Sequence, residues 1–266
     1  MPVPATIVNI KPTVGLLTGV VSVARTVNVT EHTARRDAIL DAAQRLIMSK
    51  GYERLTVQDL LDDLQISKGA FYHYFESKPA VIGALTERLV AESVRALAPI
   101  VADRGVEALD KLQRLFAEMI RWKSARQNLF VVMLPVWYAP DNIVFRVQVD
   151  QAVAKRLAPL LTAIVRQGVD EHRFATAYPE QAGGIIIALV QTLQDAMAHQ
   201  LLAAARRVPH APQTTDLVVT YAAHIEAIER YLGMPGGALY RVDARAVNGW
   251  IAALRQADTT MSGVPR

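Results

Sequence analysis

The side chains best placed for chemistry lie in the run Ser67-Lys68-Gly69-Ala70-Phe71-Tyr72-His73-Tyr74-Phe75-Glu76-Ser77-Lys78. At helical spacing Phe71 and Phe75 share one face, and Lys68, Gly69, Ala70, Tyr72 and His73 share the opposite one. The chemistry of that second face is recognition rather than bond-making. Small Gly69 and Ala70 let a helix approach the floor of a DNA groove, and Ala70 can meet a thymine methyl. Lys68 can reach a guanine edge or a phosphate, while Tyr72 and Tyr74 carry hydroxyls suited to phosphate oxygens. Upstream, Thr56 and Gln58 are expected to touch the same DNA from a preceding helix. Lys78, beside the free N–H groups of a following helix, reads as a phosphate clamp. His73 is expected as a groove contact or packing residue, because no His or carboxylate partner has metal-ligand spacing.

Other chemistries find little support. There is no nucleophile–base–orienter set, no phosphate-binding glycine loop and no HExxH pattern, so no enzyme, cofactor or metal is expected. His172, His199, His210 and His224 are scattered along the chain. Cys is absent, which excludes disulfides and thiolate sites and fits a reducing cytoplasm. The 266 residues carry a formal charge of +4 and are 52% hydrophobic, enough for a buried core. Basicity is not the argument for DNA. Between Thr33 and Lys78, seven Lys/Arg face seven Asp/Glu.

The elements that must position these residues read as helices throughout. In Ala34–Lys50, Ile39, Ala42, Ala43, Leu46 and Ile47 form one apolar stripe, with Thr33 as the expected cap and Gly51 as the stop. Thr56 caps a short second helix to about Asp63, with Asp59 completing a variant capping box. Ser67 caps the third helix. Ser77 caps a fourth, running to about Ile100 with Pro79 tolerated in its first turn. Further helices are expected at about 105–123, 125–134, 143–171, 179–206 and 214–233. Loops are expected at Pro135, at Ala139-Pro140-Asp141-Asn142 and at Val208-Pro209-His210-Ala211-Pro212. After Gly233-Met234-Pro235-Gly236-Gly237, a short tail helix is expected near 243–257, with 258–266 frayed. Val14–Ala24 is apolar but far short of the roughly 20 residues of a membrane span. Residues 1–32 are expected to be a flexible extension, the competing account being a true start further downstream.

The cap, turn, small residues, aromatic pair and terminal Lys fall in step as they do in the DNA-binding head of the TetR family of bacterial transcriptional regulators, which residues Thr33–Leu89 resemble. The resemblance implies an all-α protein with a three-helix helix-turn-helix head at 33–93, a helical effector-binding and dimerisation domain at 94–233 and a tail at 234–266. It implies that Lys68, Gly69, Ala70, Tyr72, His73 and Tyr74 line the recognition face, flanked by Thr56, Gln58 and Lys78, with Ser67 at its start. One departure is Gln65, where the family usually has Gly in the turn; Gln there carries the cost of a left-handed backbone.

The same resemblance implies a homodimer formed through 181–206 and 214–232. Ile185, Ile186, Ala188, Leu189, Leu193 and Met197 would meet Leu217, Val218, Tyr221, Ile225, Ile228 and Leu232, with Gly183, Gly184 and Ala196 allowing close approach. Burial within one subunit is the competing account of these residues. Two heads one helical turn apart would read a palindromic double-stranded operator. Met119, Trp122, Phe130, Met133, Trp137, Tyr138 and Phe145 supply large soft side chains for a small apolar effector, with Arg121, Lys123, Gln127 and Gln191 for polarity. Ordinary core packing is the competing account here too. The expected function is a repressor released from its operator by that effector. An activator of the same fold, or a helical interaction protein no longer binding DNA, are the alternatives.

Overall fold

The computed structural model describes residues 29–262, with side chains described for 31–259. Within that range lie ten α-helices, one 3-10 turn (Pro140–Asn142) and no strand. The helices are α1 (Val29–Lys50), α2 (Val57–Leu64), α3 (Lys68–Tyr74), α4 (Lys78–Ala102), α5 (Ala108–Ser124), α6 (Gln127–Trp137), α7 (Ile143–Asp170), α8 (Pro179–Arg206), α9 (Thr214–Tyr231) and α10 (Ala244–Ser262). Most of the extension expected at 1–32 lies outside the described residues.

Local chemistry sets the three head junctions. Thr56 Oγ1 accepts the Asp59 N–H at 3.2 Å and the Asp59 carboxylate accepts the Thr56 N–H at 2.7 Å, the reciprocal bonds of a capping box. Between α2 and α3 the chain reverses at Gln65, whose backbone is left-handed (φ 50, ψ 43). Ser67 and Ser77 then cap α3 and α4, accepting the Ala70 and Ala80 N–H groups at 3.2 and 3.3 Å.

Four expectations are corrected. Helix α1 starts at Val29, so Thr33 lies inside it rather than capping it. Helix α5 starts at Ala108, not near 105, because the Glu171 carboxylate at the end of α7 accepts the Ala108 N–H at 2.8 Å. Helix α6 runs through Pro135 to Trp137. A proline so near a helix end costs one backbone bond, and burial of Leu129, Val131, Met133 and Val136 outweighs it. Helix α10 reaches Ser262 instead of fraying from Asp258, its inner side held by buried Val247, Ile251 and Leu254.

Packing divides into three cores. The head core gathers Ile39, Leu40, Ile47, Leu55, Leu60, Phe71, Phe75, Val81 and Leu85, but also Trp122, Leu129 and Met133 from α5 and α6. The body core combines α4, α5, α7, α8 and α9 through residues such as Leu97, Leu112, Leu161, Ile164, Ile186 and Ile228. A third core holds α10 against Val131 of α6, Leu201 and Ala204 of α8, and Leu217 of α9. Helices α7 and α8 run antiparallel, with Arg146 against Asp195 at one end and Arg166 against Glu180 at the other.

Candidate DNA-binding face

Helix α3 separates its two roles cleanly. Phe71 and Phe75 are buried in the head core. Ser67, Lys68, Gly69, Ala70, Tyr72 and His73 are exposed, and Tyr74 is half-buried. A Cβ on Gly69 would meet nothing within 4 Å, so its smallness leaves open space outside the protein rather than relieving a contact within it. Tyr72 is 46% exposed, with the Lys68 ammonium 6.0 Å from its ring centre. On α2, Thr56 and Gln58 are exposed, and Gln58 Nε2 donates to Asp62 Oδ1 at 2.7 Å.

Three of the head's seven acids pair with basic side chains away from α3. Asp63 pairs with Arg45 at 2.8 Å, Asp41 with Arg88 at 2.7 Å, and Asp59 with Lys50. The hydrogen bond from Lys50, followed by that from Thr56, holds the Asp59 carboxyl down at about 2. No acid lies on α3 itself, so Lys68 sets the sign of its exposed face, which reconciles a net-neutral head with a polyanionic partner.

Lys78 requires a correction. Its ammonium does not face outward as a phosphate clamp; it donates to the Tyr52 and Leu55 carbonyls, each at 2.9 Å, and sits 4.1 Å from the Tyr52 ring centre. Burial pushes its pKa down, although nearby Glu53 opposes this. The open carbonyls of the α1–α2 loop compete for the cation, and only the tertiary fold brings them within reach. Sequence reasoning also missed His32 and Arg36. His32 packs its ring on Tyr74 and His73, and the Arg36 guanidinium lies 5.3 Å from the Phe75 ring centre. No local signal marks either residue, because their partners lie some 40 positions away.

Residues 39–85, the core of this head, match the family described as bacterial regulatory proteins, tetR family. Over that span the chain carries the N-terminal domain of the TetR family. It is thus a DNA-binding transcriptional regulator. Among its relatives is the HTH-type transcriptional repressor DhaR of Mycobacterium sp. (strain GP1), 24% identical over 133 residues that cover 50% of this chain and 67% of DhaR. The HTH-type transcriptional repressor AcnR of Corynebacterium diphtheriae is 31% identical over 103 residues, 39% of this chain and about half (52%) of AcnR. Thermus thermophilus FadR, a TetR family transcriptional repressor solved in complex with lauroyl-CoA, shares the fold. Its TM-score is 0.51 at 21% identity, covering 79% of this chain and 97% of FadR.

Beyond that domain, the eight residues expected around an effector do not gather into one cavity. Trp122 and Met133 are buried in the head core, and Phe130, Trp137 and Phe145 pack against it. Met119 lies between head and body cores. Tyr138 donates to Asp195 at 2.8 Å and Gln191 to the Asp150 carbonyl at 2.7 Å, both fastening α8 to neighbouring segments. A cleft of about 460 Å³ between α7 and α8, lined by Lys155, Thr162, Arg166 and Glu180 among others, includes none of the eight. The aromatic segment is a seam joining head to body. Its Trp137 Nε1 is a buried donor without a hydrogen-bond partner.

The dimer candidates divide in the same way. Leu217, Ile225, Ile228, Leu232 and Ile186 are wholly buried within the chain, and Leu193 is nearly so. A Cβ on Gly183 would collide with the Ala158 carbonyl and Thr162 of α7, so this glycine serves close approach inside the subunit. Gly184, Ile185, Ala188 and Thr192 remain exposed on the other side of α8.

Proposed function

We propose that this regulator is a homodimeric repressor of the cytoplasm that binds a palindromic operator and leaves it when a small apolar effector binds. The observation that carries this reading is the exposed face of α3, which presents Ser67, Lys68, Gly69, Ala70, Tyr72, His73 and Tyr74 beside Thr56 and Gln58. One seven-residue helix spans only a few base pairs, so useful specificity requires two heads. Support for the dimer comes from α8. It is an apolar helix, yet most of its length is not buried within the chain. Gly184, Ile185 and Ala188 on α8, with Val219 and Ala223 on α9, supply a small and apolar exposed surface suited to a two-fold interface.

The repressor reading is supported by the names of DhaR and AcnR, and the apolar effector by the acyl ligand in the FadR complex. In this chain such a ligand would enter the seam of Met119, Trp122, Phe130, Met133, Trp137 and Phe145, where Trp137 Nε1 has a donor to offer. Wedging there would bias the angle between head and body, and operator affinity would fall by the effector's preference for the wedged state.

Two measurements test the proposal together. Selection from a random-sequence duplex library should return an inverted repeat, and light scattering should give twice the 29.2 kDa chain mass. The variant Ile185→Asp/Ala188→Arg should be monomeric and lose operator binding. A selected site without two-fold symmetry, or a monomer with full affinity, would sink it.

A further inference from the structure

We infer that His32 is a positioning residue for DNA recognition: it holds the outward side chains of the recognition helix in place without being part of that helix. The inference rests on the DNA-facing set proposed above and concerns how that set is aimed.

Helix α1 extends to Val29, so its first turn lies beside the end of α3. There the His32 ring sits 4.7 Å from the Tyr74 ring centre at a tilt of 44°, and 5.6 Å from His73 nearly edge-on at 78°. His73 and Tyr74 complete the triangle at 5.1 Å and 83°. One turn further along α1, Arg36 covers Phe75. Two turns of α1 therefore brace the last two residues of the recognition helix and Phe75, which caps its C-terminus. Edge-to-face and tilted arrangements at these distances are the favourable ones for aromatic rings.

Helix α3 has seven residues, too few to be stable alone, and its inner face is anchored by Phe71 and Phe75. That anchoring leaves the exposed His73 side chain unrestrained, and it covers Tyr74 on one side only, the ring being half-buried against the head core. The His73 side chain is exposed, and its ring contacts are those with His32 and Tyr74. A ring nitrogen and a phenol hydroxyl can meet phosphate or base atoms only if they are held within about 0.5 Å of the productive place. His32 supplies that restraint from a second helix. It is half-buried at a helix end, so its contribution to overall stability is small while its influence on orientation is direct.

The test uses the full chain and the DNA duplex that the wild-type protein recovers from a random-sequence library. Affinities are read by fluorescence anisotropy and folding by circular dichroism. His32→Ala should weaken binding roughly threefold to tenfold per head, the range a ring pair supports, with the melting temperature almost unchanged. His32→Phe, which keeps the ring, should restore affinity to within about twofold of wild type. In a double-mutant cycle, His32→Ala should add little once His73→Ala is present. Unchanged affinity in His32→Ala, independent losses at the two positions, or no rescue by Phe would each overturn the inference. If His32→Ala melts early, the Phe variant and the cycle, measured well below both transitions, still decide. Wild-type protein that selects no sequence would instead refute the operator reading itself.

Discussion

At the scale of single residues, two sites of local strain make testable predictions. Gln65 holds a left-handed backbone at the turn of the helix-turn-helix, a conformation that costs a residue with a Cβ roughly 1 kcal/mol. Gln65→Gly should stabilise the protein by about 0.5–1 kcal/mol, measured as a raised denaturant midpoint, with the DNA-facing residues undisturbed. The second strain is Lys123, whose ammonium burial pushes down to about 8 from 10.5. Because the folded state binds the proton less readily than the unfolded one, this lysine costs stability in full below about 8. Stability is recovered as pH rises from there to 10.5. Lys123→Met should therefore raise stability at pH 7 by about 1–2 kcal/mol, and a pH series of melting curves should show that advantage shrinking above pH 8. An equal gain at every pH would mean the lysine is not desolvated.

At the scale of elements, the helices are held in register by charges that reach between them. Glu229 of α9 is the plainest case. Its carboxylate is wholly buried, accepts the Leu239 and Gly237 N–H groups at 2.7 and 3.1 Å, and meets Arg241 at 2.6 Å. Burial alone would push its pKa up, but Arg241 and the two amides reverse this and hold it below the usual range. The depressed pKa means that stability is present above the ordinary carboxylate range and is lost as the carboxyl is protonated on acidification. Arg241→Ala leaves a buried charge without its partner and should cost about 3–5 kcal/mol. Urea unfolding would record that loss, with α10 released first because the loop between α9 and α10 is what Glu229 closes. Gln in place of Glu229 should be milder than loss of the arginine, since it removes the buried charge along with the pair.

At the scale of the whole molecule, head and body share side chains. Trp122, Leu129 and Met133 come from α5 and α6 yet complete the head's core. A fragment ending after α4, at residue 104, should accordingly melt well below the intact protein and bind DNA less tightly. Met133→Ala in the full chain should cost about 2–5 kcal/mol and lower a single calorimetric transition that includes both parts. Two separated transitions in the parent protein would refute this coupling. In the proposed mechanism the shared core would be the route from effector to DNA, because displacing α6 would disturb α1 and the body at once.

What the chain's order of residues determined by itself was local. The caps at Thr56, Ser67 and Ser77, the left-handed Gln65 and the common face of Phe71 and Phe75 all depend on neighbours within a few positions. Helical periodicity placed most elements for the same reason. The fold decided what depends on distant partners. It turned Lys78 inward to the Tyr52 and Leu55 carbonyls, gave α5 its cap from Glu171, and set Gly183 against α7 rather than a second subunit. It also made the aromatic segment a seam rather than an open pocket. An apolar stripe states that a face must be covered; it carries no information about which surface, tens or hundreds of residues away, will cover it.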